Sequence, residues 1–129
     1  MNISTLIVED DRVFSTMLQM LLQKHKDFQL LEVVEDKKSA IEAIKKYKPD
    51  LIFMDIYLKS GSGMDVLEAC KDDYSFVIFV TSFDEFALKG YEYRAIHYLL
   101  KPFEESSFIK AITSARTFFM DKKQLSKIN

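Results

Sequence analysis

The chain has 129 residues, 48% of them hydrophobic and 29% charged, with a net charge of −2 and a pI near 5.7. That is enough chain for one domain around one core, and the acidic balance argues against nucleic acid or an anionic membrane as a direct partner. Cys70 is the single cysteine, which excludes an internal disulfide or a multi-cysteine metal site and suits a reducing compartment. No apolar run approaches the roughly 18 residues of a membrane span. The opening "MNISTLIVEDD" meets charge too early for a signal peptide, so a cytoplasmic protein with no membrane contact is expected.

In chain order, the apolar run "ISTLIV" (3–8) reads as a first strand, and it ends on the acidic cluster Glu9, Asp10 and Asp11. Phe14, Met17, Leu18, Leu21 and Leu22 then recur on one face of a helix. "FQLLEVV" (28–34) is a second strand, followed by Glu35 and Asp36. A helix marked by Ala40, Ile41 and Ile44 comes next, closed off by Pro49. "DLIFM" (50–54) is the third strand; it runs into Asp55 and a loop containing glycine, before a helix marked by Val66, Leu67 and Cys70. "SFVIFV" (75–80) delivers Thr81 and Ser82, and Phe86, Ala87 and Tyr91 mark a shorter fourth helix. "AIHYLL" (95–100) delivers Lys101 and Pro102. Phe108, Ile109, Ile112, Ala115 and Phe119 mark the last helix, which fades into the polar "DKKQLSKIN".

Five strands alternating with five helices predict an α/β domain, with a doubly wound parallel sheet covered by helices on both faces. Little alternation within the strands agrees with burial on both sides. In such sheets ligands bind beyond the carboxyl ends of the strands, so the residues that end each strand are the candidates. Glu9, Asp10, Asp55, Thr81 and Lys101 all stand there, and Glu35 and Asp36 share the rim if the second strand neighbours the first. Crowded carboxylates recruit a proton or a hard cation such as Mg²⁺, while a lysine and a hydroxyl suit phosphoryl oxygens. Asp55 is then left as the nucleophile of aspartyl-phosphate chemistry. Taken singly, each has a plainer account. Asp10 or Asp11 could cap a helix, Asp55 could be a turn residue, Thr81 and Ser82 could cap the fourth helix, and Lys101 could be a solvated charge.

Together, "LIVEDD", "DLIFMDI", "FVTS" and "YLLKPF" resemble, in order and spacing, the receiver domain of two-component response regulators over essentially the whole chain. The resemblance implies a flavodoxin-like sheet of order 2-1-3-4-5 and makes Asp55 the phosphoacceptor. It also implies Mg²⁺ held by Asp10, Asp55 and the backbone carbonyl of Tyr57, with Glu9 acting through water. Thr81 and Lys101 would contact the phosphoryl oxygens, and Tyr98 would follow Thr81 in the switch. The partner implied is a histidine kinase, with dimerisation through the fourth helix, fifth strand and fifth helix. Phe86, Tyr91, Arg94 and His97 fall in that region, although a half-buried face with scattered solvated charges accounts for them equally well. "FALKGYEYRAIHYLLKPF" resembles receivers of the LytTR type, which implies control of transcription. Residues 1–121 would be the receiver and 122–129 the start of a linker or tail, so that DNA is met only through a C-terminal output domain absent from this chain.

Two departures from the family stand out. Lys59 replaces a proline common four residues after the acceptor. Tyr57 and Phe83 place two aromatic rings beside the expected path of the hydrolytic water, which predicts slow self-dephosphorylation. Other functions fit less well. A haloacid-dehalogenase-like phosphatase would carry an aspartate at Tyr57, a nucleotide or flavin binder would carry a glycine-rich turn after the first strand, and a pseudo-receiver would lack the intact acidic, hydroxyl and lysine positions. The domain is therefore expected to catalyse its own phosphorylation without being a turnover enzyme. His25 and His97 lack ligand spacing, and Cys70 is expected to serve packing.

Overall fold

The computed structural model describes residues 2–82 and 93–128. The chain runs β1 (Ile3–Val8), α1 (Arg12–Leu22), β2 (Phe28–Val34), α2 (Lys37–Tyr47), β3 (Leu51–Met54), β4 (Tyr57–Leu58), β5 (Gly61–Ser62), α3 (Gly63–Ala69), β6 (Phe76–Thr81), β7 (Ala95–Leu100) and α4 (Glu105–Ile128). The helix expected around Phe86, Ala87 and Tyr91 lies outside the described residues, as does Phe83, so the last helix is α4 here.

The main sheet is parallel with order β2-β1-β3-β6-β7, which is the 2-1-3-4-5 order of the five long strands. The pleat of each central strand sends alternate side chains to opposite faces. Ile7, Phe53, Ile78 and Val80 meet Leu18 and Leu22 of α1 and Phe108, Ile112 and Phe119 of α4. Leu6, Val8, Ile52, Met54 and Phe79 meet Ala40 and Ile44 of α2 and Val66 and Leu67 of α3, with Cys70 buried among them. Because both faces are covered, the strands read as continuous apolar runs. Each fully buried large side chain contributes roughly 1.5–3 kcal/mol.

Caps set the helix starts. Asp11 Oδ1 accepts from the Val13 amide at 2.9 Å, and Asp36 Oδ1 accepts from the Ser39 amide at 2.8 Å. α2 ends at Lys48, which turns left-handed (φ 45°) just before Pro49. α4 carries Phe108, Ile112, Ala115 and Phe119 on its buried face, while Ile109, expected there too, is exposed. Its helical backbone continues through the polar residues to Ile128. Arg116 secures it with a bidentate contact to Asp27, and Lys24 pairs with Glu105 at 2.9 Å.

Arg94 adopts a left-handed backbone (φ 61°), and its guanidinium donates to the carbonyls of Lys71, Tyr74 and Ser75 while lying over the Tyr74 ring. The side chain is thus committed to joining the end of the α3 loop to the start of β7.

The loop after Asp55 is more ordered than the sequence predicts. Tyr57–Leu58 and Gly61–Ser62 pair as a small antiparallel hairpin. Gly61 takes φ 146°, a conformation that disfavours a side chain. Gly63 is required for another reason: a Cβ there would stand 2.3 Å from the Asp55 carbonyl oxygen and 3.0 Å from Met54 Cγ. Gly63→Ala is expected to lower stability by about 2 kcal/mol or more, at the upper end of overpacking costs or beyond, because the obstructing atom is backbone. Urea denaturation of the two proteins checks this, and equal midpoints would contradict it.

Candidate functional site: a carboxylate cluster with one lysine

Ladder hydrogen bonds continue one residue past the strands and fix the backbone of the residues that matter. The Glu9 amide donates to Val34 O at 3.0 Å, the Asp55 amide to Val8 O at 3.0 Å, and the Lys101 amide to Thr81 O at 2.8 Å. Four adjacent strands thereby present their carboxyl ends to a cleft of about 270 Å³. Asp10, Asp55, Tyr57, Thr81 and Lys101 are among the residues that line it, and so is Lys59.

Within the cluster, Glu9, Asp10 and Asp55 each offer one carboxylate oxygen, and these oxygens lie within 4.8 Å of one another. Lys101 Nζ stands 2.6 Å from Glu9 Oε1 and 3.2 Å from Asp55 Oδ2. The nearer contact is an ion pair between two largely buried groups. Glu9 Oε2 accepts from the Asp11 amide at 3.1 Å. Asp55 Oδ1 accepts from the Tyr57 amide at 3.1 Å, so Asp55 also closes a local turn, as its plainer account expects. Asp10 Oδ2 accepts from the Lys59 amide at 2.6 Å, which ties the hairpin to the cluster. Capping of α1 falls to Asp11, leaving Asp10 for the cleft.

Burial pushes the Glu9 carboxyl up to about 7, and the adjacent Asp55 charge adds to this against the opposing pull of Lys101. Burial alone would lower the Lys101 ammonium, but its contacts with Glu9 and Asp55 prevail and hold it above the usual lysine range. An all-oxygen donor set of three clustered carboxylates, two of them buried, suits a hard divalent cation.

Thr81 is fully buried at the end of β6, and Tyr57 is 48% exposed at the cleft. Tyr98 lies beside the second core cluster with its ring 5.4 Å from that of Phe79. Glu35 and Asp36, expected on this rim, are not in the cluster: Asp36 caps α2, and Glu35 stands 3.8 Å from Arg12. His25 Nδ1 is 3.1 Å from Arg116, and His97 bonds to its own strand at the Tyr98 amide. Two participants escaped the sequence reading. One is the Lys59 amide. The other is Phe14, whose ring centroid is 4.7 Å from Lys101 Nζ; its helical spacing marked it only as core.

A parallel α/β sheet of this order, with an acidic pair, an acceptor-type aspartate, a hydroxyl and a lysine on its rim, defines a domain of the receiver class. Residues 5–113 match the family described as response regulator receiver domain, and the chain belongs to that family. It is a phosphorylation signalling module of two-component systems. It is 34% identical over 115 residues to the transcriptional regulatory protein BtsR of Salmonella typhi, covering 88% of this chain and 48% of that protein. Against the sensory transduction protein LytT of Oceanobacillus iheyensis it is 30% identical over 127 residues, covering 95% of this chain and 52% of LytT. The response regulatory domain of mrkE from Klebsiella pneumoniae superposes with a TM-score of 0.79 at 25% identity, over 94% of this chain and 98% of that domain. The chain thus spans about half the length of the curated relatives it matches. No helix among the described residues is long and apolar enough to cross a membrane.

The raised Glu9 value carries a sign. Between about 4.5 and about 7 the folded protein keeps a proton on Glu9 that the unfolded chain has lost. The stability this contributes is full below 4.5 and is lost as pH rises through 7. Without divalent cations, the stability of the wild type relative to Glu9→Gln should fall across this window, by about 3 kcal/mol at most for a shift of this size. Denaturant titrations of both proteins from pH 4.5 to 8 measure it, and parallel curves would contradict it.

Proposed function

We propose that Asp55 is the phosphoacceptor of this receiver, that Lys101 and Thr81 receive the phosphoryl oxygens, and that a histidine kinase is the donor. The observation that carries this reading is the meeting of Glu9, Asp10, Asp55 and Lys101 at the carboxyl ends of β1, β3 and β7, with Lys101 Nζ 3.2 Å from the proposed nucleophile. An Asp55 oxygen attacks phosphorus and forms the O–P bond as the P–N bond to the kinase imidazole breaks. The imidazole leaves with the electron pair of that bond and takes up a proton. The chain contributes position and charge: the ladder bond from the Asp55 amide fixes the nucleophile's backbone, and Lys101 offsets charge on the transferred group.

Mg²⁺ is the cation the donor set fits. Asp10, Asp55 and the backbone carbonyl of Tyr57 would hold it, with Glu9 acting through water. When bound, it supplies positive charge against the phosphoryl oxygens. Once Asp55 is modified, Thr81 turns toward the phosphoryl group and Tyr98, whose ring lies 5.4 Å from that of Phe79, changes rotamer in response. This biases the β7–α4 face toward a partner-binding state, with a homodimer through that face and the segment preceding β7 as one outcome.

Residues 1–121 make up the receiver in this reading. Residues 122–129 begin the connection to an output domain, carried on the helical extension of α4. BtsR is described as a transcriptional regulatory protein, and LytT as a sensory transduction protein. These relatives support an output that acts on transcription, with DNA met through that further domain.

Intact-protein mass after incubation with acetyl phosphate tests the reading. One phosphoryl adduct is expected with Mg²⁺, none without it, and none on Asp55→Asn. An adduct that survives Asp55→Asn or ignores Mg²⁺, or no adduct on folded wild type, would overturn it.

A further inference from the structure

Lys101 must hold its ammonium over Asp55 although its long side chain has four rotatable bonds, and two carboxylates alone do not fix it. The structure supplies a third contact from a different element. Phe14, in the first turns of α1, sets its ring face 4.7 Å from Nζ. That ring is braced in turn by Phe103, two residues beyond Lys101, at 6.1 Å between centroids. Phe103 is itself buried, and the Lys101 side chain is only 9% exposed.

A cation over an aromatic face is held by the ring quadrupole, most strongly where water is excluded. The ammonium is therefore held by two carboxylates and by a ring. An aliphatic residue of similar size at position 14 would fill the space without attracting the charge. The Phe14 ring carries no ionisable or hydrogen-bonding group and meets the site at the Lys101 ammonium.

We propose that Phe14 is a positioning residue for phosphoryl transfer: its ring holds the Lys101 ammonium over Asp55 and shields it from water. The inference rests on the reading of Asp55 as acceptor, and its test separates the two. Phe14→Leu keeps apolar bulk and removes the ring face, whereas Phe14→Tyr keeps the ring.

With acetyl phosphate and saturating Mg²⁺, the phosphorylation rate of Phe14→Leu should fall about five- to tenfold, the size of a partly desolvated cation–π contact. Phe14→Tyr should stay within about twofold of wild type. In a Lys101→Ala background Phe14→Leu should have no further effect, because the contact it removes is already gone. An unchanged rate for Phe14→Leu, or an equal loss in the Lys101→Ala background, would overturn the proposal, the second outcome meaning that the ring serves packing alone.

A second measurement does not depend on transfer. The Lys101 ε-methylene protons should be shifted upfield by the Phe14 ring current in the wild type and in Phe14→Tyr, and relax toward ordinary values in Phe14→Leu. No such shift in the wild type would overturn the contact itself. If the shift is present while wild type takes no phosphoryl group, the acceptor reading fails and the ring–ammonium contact stands.

Discussion

The ammonium of Lys101 is what allows this rim to exist. Glu9 is almost wholly buried and Asp55 nearly so, and Asp10 offers an oxygen within 4.8 Å of theirs. Bare carboxylates so close in a protein interior repel, by amounts on the order of several kcal/mol per pair at an intermediate dielectric. Lys101 reaches both buried members from a strand two places away from that of Asp55, and so converts a mutual repulsion into a charge balance. The balance is incomplete. Glu9 holds its proton up to about 7. The site is left needing more positive charge, which is the property a cation-dependent phosphoryl acceptor requires.

The rest of the fold serves to bring that lysine and those carboxylates together and keep them there. Parallel register aligns Val8 with Met54 and Met54 with Phe79, so that the next residues of β1 and β3 emerge side by side. Both sheet faces are closed by apolar packing, and among the described residues buried charge gathers at the strand ends. Gly63 permits the chain to pass close against the Asp55 carbonyl, and the hairpin it follows returns the Lys59 amide to Asp10. Local turn geometry and site chemistry share the same atoms here. Closing a turn leaves Asp55 free for the acceptor role proposed for it, since only Oδ1 meets the Tyr57 amide.

Much of this was legible in the sequence. Continuous apolar strands alternating with amphipathic helices gave the layered α/β architecture, and the residue ending each strand gave Glu9, Asp10, Asp55, Thr81 and Lys101. Strand order came from the family resemblance, since periodicity says nothing about which strands are neighbours. Glu35 and Asp36 stood at a strand end too, but Asp36 caps α2, where its carboxylate satisfies the helix's own amides first, and Glu35 turns to Arg12. The hairpin was hidden because two-residue strands leave no periodic signal. Phe14 was hidden because an apolar residue at helical spacing looks the same whether its ring meets leucine or an ammonium group. Arg94 was placed in the region of a dimer face, or else among solvated charges on a half-buried one. Its three carbonyl partners come from a loop some twenty residues earlier in the chain, beyond the reach of local pattern.

The central claim is that Lys101 supplies, in the absence of a divalent ion, the charge that a cation would otherwise bring. The direct measurement is the shift in thermal midpoint on adding Mg²⁺ to the wild type and to Lys101→Met, a neutral side chain of similar length. The account predicts a rise in the wild type and a larger rise in Lys101→Met, where no ammonium competes for Glu9 and Asp55. No Mg²⁺-dependent rise in the wild type, or a rise in Lys101→Met no greater than that of the wild type, would contradict it.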